Sequence, residues 1–311
     1  MIIAVCIVVV IICAAIATVH RTLKFSIMRD AKREQPMIEQ ESIRATMSKK
    51  MLELLDNSVA ELRSMPNEDV FITSFDKLKL HAKLYDCEDP VGTIIMCHGY
   101  RSSAVNDFAV LAPVMYKRRY RLLLIDQRAT GQSAGKYIGM GALERFDCRD
   151  WAWYMYNRFG DCPMFLEGVS MGSTTVLMAS GLELPPNVKG IIADCGFTSP
   201  KEIFSCVFKA SYHLPPHPFV DLMGKIIKLT AKYDIGYSAE EAVAGSDLPI
   251  LYIHGEADDF VPHYMSVKNH AATKGEKFFV SVPYAGHGMS YLTDTEKCRK
   301  ALDYFLVKYG Q

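Results

Sequence analysis

The chain has 311 residues, half of them hydrophobic and 23% charged, enough apolar material for one large domain with a substantial core. Lys and Arg (35) balance Asp and Glu (35), and no basic block with interleaved aromatics occurs, which argues against a nucleic-acid partner. The nine cysteines are scattered, odd in number and without a C-x-x-C pair, so neither a metal site nor a disulfide framework is expected.

Residues 2–19 are apolar apart from Thr18 and carry no charge, a length that spans a bilayer as a helix. A cleaved signal peptide is the competing reading, with Ala15-Ile16-Ala17 as its A-x-A site, but no Lys or Arg precedes the run. The expectation is an uncleaved single-pass anchor over residues 1–20. Arg21, Lys24, Arg29, Lys32 and Arg33 follow it, so the positive-inside rule puts the remaining chain on the cytoplasmic side. Residues 21–69 form a charged, Met-rich linker with Ile43, Met47, Met51, Leu54 and Leu55 at helical spacing. Pro66-Asn67-Glu68-Asp69 closes it.

The main domain is expected over 70–311. Val70–Phe75 and Leu78–Tyr85 alternate with period two and read as a hairpin of half-buried strands. Continuous apolar runs follow at Gly92–Cys97, Tyr120–Asp126, Pro163–Val169, Gly190–Asp194, Pro249–His254 and Lys277–Val282. Helical stretches separate them, with Asp150–Phe159 and Glu296–Tyr309 the plainest. Such alternation predicts an α/β fold: a mainly parallel central sheet with helices on both faces and an antiparallel hairpin at its edge. Between residues 195 and 248 an excursion containing Leu214-Pro-Pro-His-Pro218 predicts a small helical cap.

One pentapeptide carries the chemistry. Gly168-Val-Ser170-Met-Gly172 joins an apolar strand to a small-residue helix, the setting in which G-x-S-x-G raises a serine on a sharp turn. A serine hydroxyl needs a base, and the base needs an orienting carboxylate. His287, between two glycines after the last strand, is the candidate base. Asp258, after the preceding strand, is the candidate acid, with Asp259 and Asp194 as rivals. The backbone N–H groups of Met171 and Tyr100 are the expected oxyanion donors. His98 reads as a structural loop histidine. In the cap, Phe197, Phe204, Phe208, Tyr212 and Phe219 are candidates for an acyl pocket, although each taken singly suits core packing as well.

From about residue 70 to its end the chain resembles the α/β-hydrolase superfamily. The motifs are His98-Gly-Tyr100, Asp126-Gln-Arg-Ala-Thr-Gly-Gln-Ser133, Gly168–Gly172, Asp194-Cys-Gly-Phe-Thr-Ser199, Gly255-Glu-Ala-Asp258-Asp-Phe-Val-Pro262 and Gly286-His287-Gly288. Within the superfamily it resembles membrane-anchored bacterial hydrolases of the serine aminopeptidase S33 and Bem46-like group. Thr130 stands where that pattern usually has His, a position outside the triad. The resemblance implies ester, thioester or amide hydrolysis through an acyl-enzyme, with no metal or organic cofactor. A small-molecule or lipid-like carboxylic ester is the expected substrate. Aminopeptidase and acyltransferase activities on the same triad remain alternatives, and a non-catalytic binding protein is disfavoured by the complete triad.

Overall fold

The structure, a computed structural model, describes residues 21, 23–24, 26–30, 44–45 and 47–310. The expected anchor at 1–20 lies outside them, as does part of the linker. Among the described residues no helix is long and apolar enough to cross a membrane.

Helix α1 (Lys49–Ser64) is the long helix of the linker among the described residues. Ser48 caps it by accepting the Met51 N–H. Its one apolar face buries Leu55 and Leu62 against the body of the domain, so it packs as an arm.

The domain follows as β1 (Glu68–Thr73), β2 (Lys79–Tyr85), β3 (Gly92–Cys97), α2 (Ala104–Asp107), α3 (Ala112–Lys117), β4 (Tyr120–Ile125), α4 (Glu144–Phe159), β5 (Met164–Val169) and α5 (Met171–Ala179). It continues through β6 (Val188–Asp194), α6 (Pro200–Tyr212), α7 (Phe219–Thr230), α8 (Ala239–Ala244), β7 (Ile250–Gly255), α9 (Tyr264–Ala272), β8 (Lys277–Val282), α10 (Ser290–Thr293) and α11 (Thr295–Tyr309). The strands form one eight-stranded sheet in the order β1-β2-β4-β3-β5-β6-β7-β8. β1–β2 and β2–β4 pair antiparallel, and every later pairing is parallel. The hairpin therefore sits at the edge, as its alternating pattern predicts.

Period two divides each central strand between two cores. Ile95, Cys97, Leu123, Ile125, Leu166 and Ile191 face one side, against α4, α5 and α8. Ile94, Met96, Leu122, Leu124, Phe165 and Ile192 face the other, against α1–α3 and α11. Burial on both sides explains why these strands read as unbroken apolar runs.

Helix α4 begins six residues before the Asp150 start that the sequence suggests. The reason is a set of buried acids in its first turn. Glu144 accepts the Gly139 and Gly141 N–H groups at 2.6 and 2.8 Å. Asp147 takes a two-point contact from the Arg128 guanidinium at 2.7 Å. These charges look solvent-facing in sequence but are paired inside the fold.

The cap lies between β6 and β7, as expected. Ile203, Val220, Ile227, Tyr233 and Ile235 of α6, α7 and the following loop form a third core with Ala129, Met140, Met171 and Val261 of the main domain. Leu23 and Ile27 complete that cluster.

Where α5 crosses the end of β3, the contact is backbone to backbone. A Cβ on Gly172 would stand 1.8 Å from the Cys97 carbonyl oxygen. Real Cβ atoms do not approach so closely, and a strand and a helix would have to part to admit one. Gly172→Ala is therefore expected to destabilise the domain by at least about 3 kcal/mol. Denaturant titration checks this, and a loss within experimental scatter would contradict the contact.

Candidate active site

Ser170 sits between β5 and α5 with φ 56° and ψ −116°, a conformation that L-residues rarely adopt. Two glycines make it possible. A Cβ on Gly168 would lie 2.2 Å from the Gly172 carbonyl, and Gly172 itself touches β3. The Ser170 N–H donates to the Asp194 carbonyl at 2.9 Å, which locks the turn to β6. The serine side chain is thus aimed into the crevice at the carboxyl ends of the strands.

His287 and Asp258 meet it there. The Ser170 hydroxyl lies 2.8 Å from His287 Nε2, and His287 Nδ1 lies 2.7 Å from Asp258 Oδ2. Ser170, His287 and Asp258 are all buried. Residues separated by up to 117 positions thus form one hydrogen-bonded line.

Asp258 is heavily supported. Its Oδ1 accepts the Phe260 and Val261 N–H groups at 3.0 and 2.8 Å. Its Oδ2 also accepts from His254 Nε2 at 3.1 Å. Burial pushes this carboxyl up, but the hydrogen bonds and charge of His254 and His287 outweigh it and hold the group well below the usual carboxylate range. Asp259, one residue on, is exposed. Asp194 is buried beside the site but bonds Ser290 at 3.4 Å instead of the imidazole. Burial pushes Asp194 up to about 7, with His254, His287 and Ser290 opposing it. Neither rival is placed to orient His287.

His254 is the residue that sequence reading passed over. It ends β7 with Nδ1 2.7 Å from Ser266 Oγ and Nε2 shared between Asp258 and the Val261 carbonyl at 3.0 Å. Its spacing of four from Asp258 was visible, but the fold of that turn was not. Asp107 was also missed. It accepts the Gly99 N–H at 2.6 Å and the Ser102 hydroxyl at 2.5 Å, and so shapes the loop after β3. Burial pushes its carboxyl up despite the nearby His98, these hydrogen bonds and His287.

That loop runs alongside the serine. A Cβ on Gly99 would be 3.4 Å from Ser170 Cβ. Tyr100 comes next, while Met171 opens α5 directly after Ser170. His98 is structural. Its Nδ1–H donates to the Gly99 carbonyl at 2.7 Å, and its Nε2 accepts the Gln127 N–H at 3.1 Å. Thr130 fills the departure from the family pattern by lying 3.1 Å from the same Nε2.

Cys195, Asp258 and His287 bring possible metal-ligand atoms within 4.8 Å of one another. Burial pushes the Cys195 thiol well above its usual range, which disfavours the thiolate a metal needs. The His287–Asp258 hydrogen bond already occupies the facing atoms. The donor set therefore fits a triad backed by a buried thiol better than a metal centre. The seven described cysteines are free thiols.

The five cap aromatics are dispersed. Phe197 is fully buried in the third core, and Phe204 and Phe208 pack against it. Phe208 lies against Tyr212 and stacks on Phe219, both of them exposed. A groove of about 970 Å³ lies instead between the second half of α6, the Leu214-Pro-Pro turn and the Asp259–Pro262 loop. None of the five aromatics lines this groove; Val207, Ala210, Leu214, Pro215 and Pro216 do, beside the polar Lys209, Ser211, His213 and Asp259. Phe260, in its wall, stands 5.1 Å from the His287 ring.

Comparison with known proteins agrees with this geometry. Residues 92–233 match a family model described as alpha/beta hydrolase fold. This chain has the alpha/beta hydrolase fold. Uncharacterized protein YqkD of Bacillus subtilis (strain 168) is 27% identical over 220 residues, covering 70% of this chain and 72% of that protein. Uncharacterized protein YfhR of Salmonella typhimurium is 25% identical over 249 residues, covering 75% and 78%. Among solved structures, the Pyrococcus furiosus esterase Pf2001 superposes with a TM-score of 0.65 at 21% identity, covering 81% of this chain and 96% of the esterase. An esterase is thus among the structural neighbours that share this fold.

The two buried acids carry opposite pH signatures. Asp194 has an ordinary value of 3.8 when unfolded and about 7 in the fold, so its contribution to stability is lost as pH rises through that window. Asp258 is depressed, so its contribution is present above the ordinary carboxylate range and lost as pH falls toward the native value. Asp194→Asn removes only the first effect. The stability of the variant relative to wild type, from urea midpoints, should climb between about pH 4 and 7 and level off above. A flat or falling difference would show that Asp194 is not held neutral.

Proposed function

We propose that this protein is a serine hydrolase that cleaves carboxylic esters through an acyl-enzyme. The observation that carries the reading is His287 bridging Ser170 and Asp258 at 2.8 and 2.7 Å. The resemblance to the S33 and Bem46-like hydrolases belongs to the same reading and rests on the motifs in the chain.

In this mechanism Ser170 Oγ attacks the ester carbonyl while His287 Nε2 takes its proton. The resulting imidazolium is stabilised by Asp258, whose low proton affinity keeps it an anion throughout. The tetrahedral oxyanion faces the N-terminus of α5, where the Met171 N–H is one donor and the Tyr100 N–H the other. Asp107 occupies the Gly99 N–H, which leaves the next amide in the loop for this task. His287 then protonates the departing alkoxide. Water, activated by the same imidazole, attacks the acyl-enzyme and releases the acid.

An aminopeptidase would need a cap carboxylate to hold the substrate ammonium. Glu202 is engaged by Lys268, Tyr264 and Thr198. Asp221 is engaged by Lys201 and His217, and Asp234 by Lys228. These pairings engage three of the candidate carboxylates, Glu240 and Glu241 at the start of α8 being the other two, and to that extent favour an ester over a peptide substrate. The Pyrococcus furiosus neighbour is an esterase, which points the same way.

Three measurements test the proposal. A fluorophosphonate probe should label wild-type protein and fail on Ser170→Ala, whose thermal unfolding stays within a few degrees of wild type. Asp258→Asn should lower kcat by about 10⁴-fold, since the imidazole loses its orienting anion. Turnover of p-nitrophenyl esters should exceed that of aminoacyl p-nitroanilides; the reverse order would overturn the ester assignment.

A further inference from the structure

We propose that the cap face made by α6 and α7 seats on a bilayer surface, and that the groove beside α6 draws in the acyl chain of a bilayer-resident ester. This rests on the hydrolase reading above, and on residues 2–19 as the bilayer span that their composition predicts.

The first argument is the length of the tether. Leu23 and Ile27 are buried among Ile203, Val220 and Ile227 of the cap. Backbone and side chains secure the segment that carries them. The Ile138 N–H donates to the Ile27 carbonyl at 2.7 Å, and the Arg29 N–H to Lys136 at 2.9 Å. The Tyr100 hydroxyl donates to the Ser26 carbonyl at 2.6 Å, and Arg101 to the Met28 carbonyl at 2.8 Å. Only three residues lie between Val19, the end of the apolar run, and Leu23. The four Cα-to-Cα steps reach about 14 Å at full extension, little more than the width of one helix. A bilayer surface at the end of that run therefore lies against the cap.

The second argument is the character of the cap surface. Val220 and Ile227 face inward on α7, while Phe219, Leu222 and Leu229 are 52%, 47% and 71% exposed on its outer side. Tyr212 and Leu214, at the end of α6, add 61% and 49%. Successive apolar side chains left in water at this density mark a contact surface. From Ser205 to Asp234 the cap carries Lys209, Lys225, Lys228 and Lys232 against Asp221 and Asp234; Asp234 pairs with Lys228 and Asp221 with Lys201, so Lys209, Lys225 and Lys232 make the basic rim. An apolar face rimmed by lysines matches the interface of a membrane with anionic headgroups.

The third argument joins surface to chemistry. Leu214 is both part of the exposed face and a wall of the groove. Val207, Ala210, Pro215 and Pro216 line the same groove, with Lys209, Ser211, His213 and Asp259 among its polar lining, and Phe260 in its wall contacts the His287 ring. An acyl chain leaving the bilayer at Leu214 would bring its carbonyl toward Ser170 without crossing water. The proposal thus narrows the substrate class to esters with a long acyl chain, held in a membrane.

The test uses the full chain reconstituted in phosphatidylcholine–phosphatidylglycerol vesicles. Leu229→Trp should add tryptophan emission that is lost when the lipids carry brominated acyl chains. Tyr304→Trp, on α11 beside the start of β8 at the opposite end of the sheet, should add emission that bromination leaves intact. The pair Leu222→Asp and Leu229→Asp should lower turnover of a vesicle-borne long-chain fluorogenic ester by roughly tenfold or more, as two leucines withdrawn from the interface imply. The same pair should leave turnover of a water-soluble p-nitrophenyl acetate within about twofold of wild type, as expected for a surface change away from the triad. Ala210→Trp should lower turnover of long acyl chains more than of short ones. Absence of quenching at Leu229→Trp, or vesicle turnover unmoved by the double substitution, overturns the seating. Failure of wild type to take the fluorophosphonate label would instead sink the hydrolase reading, and the quenching experiment would still decide the seating on its own.

Discussion

Helix α5 meets the end of β3 with no side chain between them. Gly172 makes this contact possible, and most of the site depends on it. The approach draws β5, which leads into α5, tightly against β3 and leaves Ser170 no conformation but a strained one. It also brings the first N–H groups of α5 beside the loop that begins at His98. The start of α5 and the loop after β3 therefore lie side by side at Ser170, with a Cβ on Gly99 only 3.4 Å from Ser170 Cβ. A single methyl group at residue 172 would separate Ser170 from that loop.

Electrostatics then sorts the carboxylates around this point. Asp258, Asp194, Glu167 and Asp107 are all buried near the carboxyl ends of the strands or just beneath them, and burial acts on each in the same direction. They differ in what donates to them. Asp258 receives four hydrogen bonds and is held anionic. Glu167 has an oxygen without a partner, and burial together with Asp194 pushes it far up. Asp194 falls between, with Ser290 as its weak partner. Neighbouring acids of one chemical type are thus shifted in opposite directions by their surroundings alone. The one whose charged form is favoured is the one in line with His287 and Ser170.

The cap is held by a different kind of force. Its core is apolar and shared between α6, α7, the loop after α7 and the residues Leu23 and Ile27. The segment carrying these two also hydrogen-bonds the Tyr100–Arg101 loop, so the same few residues touch both the cap and the loop flanking the nucleophile. Cap position and loop shape are consequently linked through residues more than 70 positions upstream.

Much of this was legible in the residues. Parallel strands buried on both sides must be apolar along their whole length, so β3 to β8 announce themselves, and β3 and β8 do so with the observed limits. The serine elbow is equally local, because glycine spacing and strand–helix order are properties of neighbouring residues. Ser170, Asp258 and His287 could be named for the same reason: each follows a readable strand. The sequence could not separate Asp258 from Asp259 by composition, because successive residues in a turn differ only in direction, and direction comes from which amides the turn presents. Nor could it show the true start of α4, where Glu144 and Asp147 resemble a solvated surface until Arg128 and two glycine amides arrive from elsewhere. Only tertiary structure decided that His254 bonds Asp258, that Phe197 enters the third core while Phe208 packs against Tyr212 and Phe219, and that Leu23 and Ile27 lie under the cap. Those outcomes rest on contacts between distant parts of the chain, and burial and hydrogen bonding at such contacts are properties of the packed molecule rather than of any stretch within it.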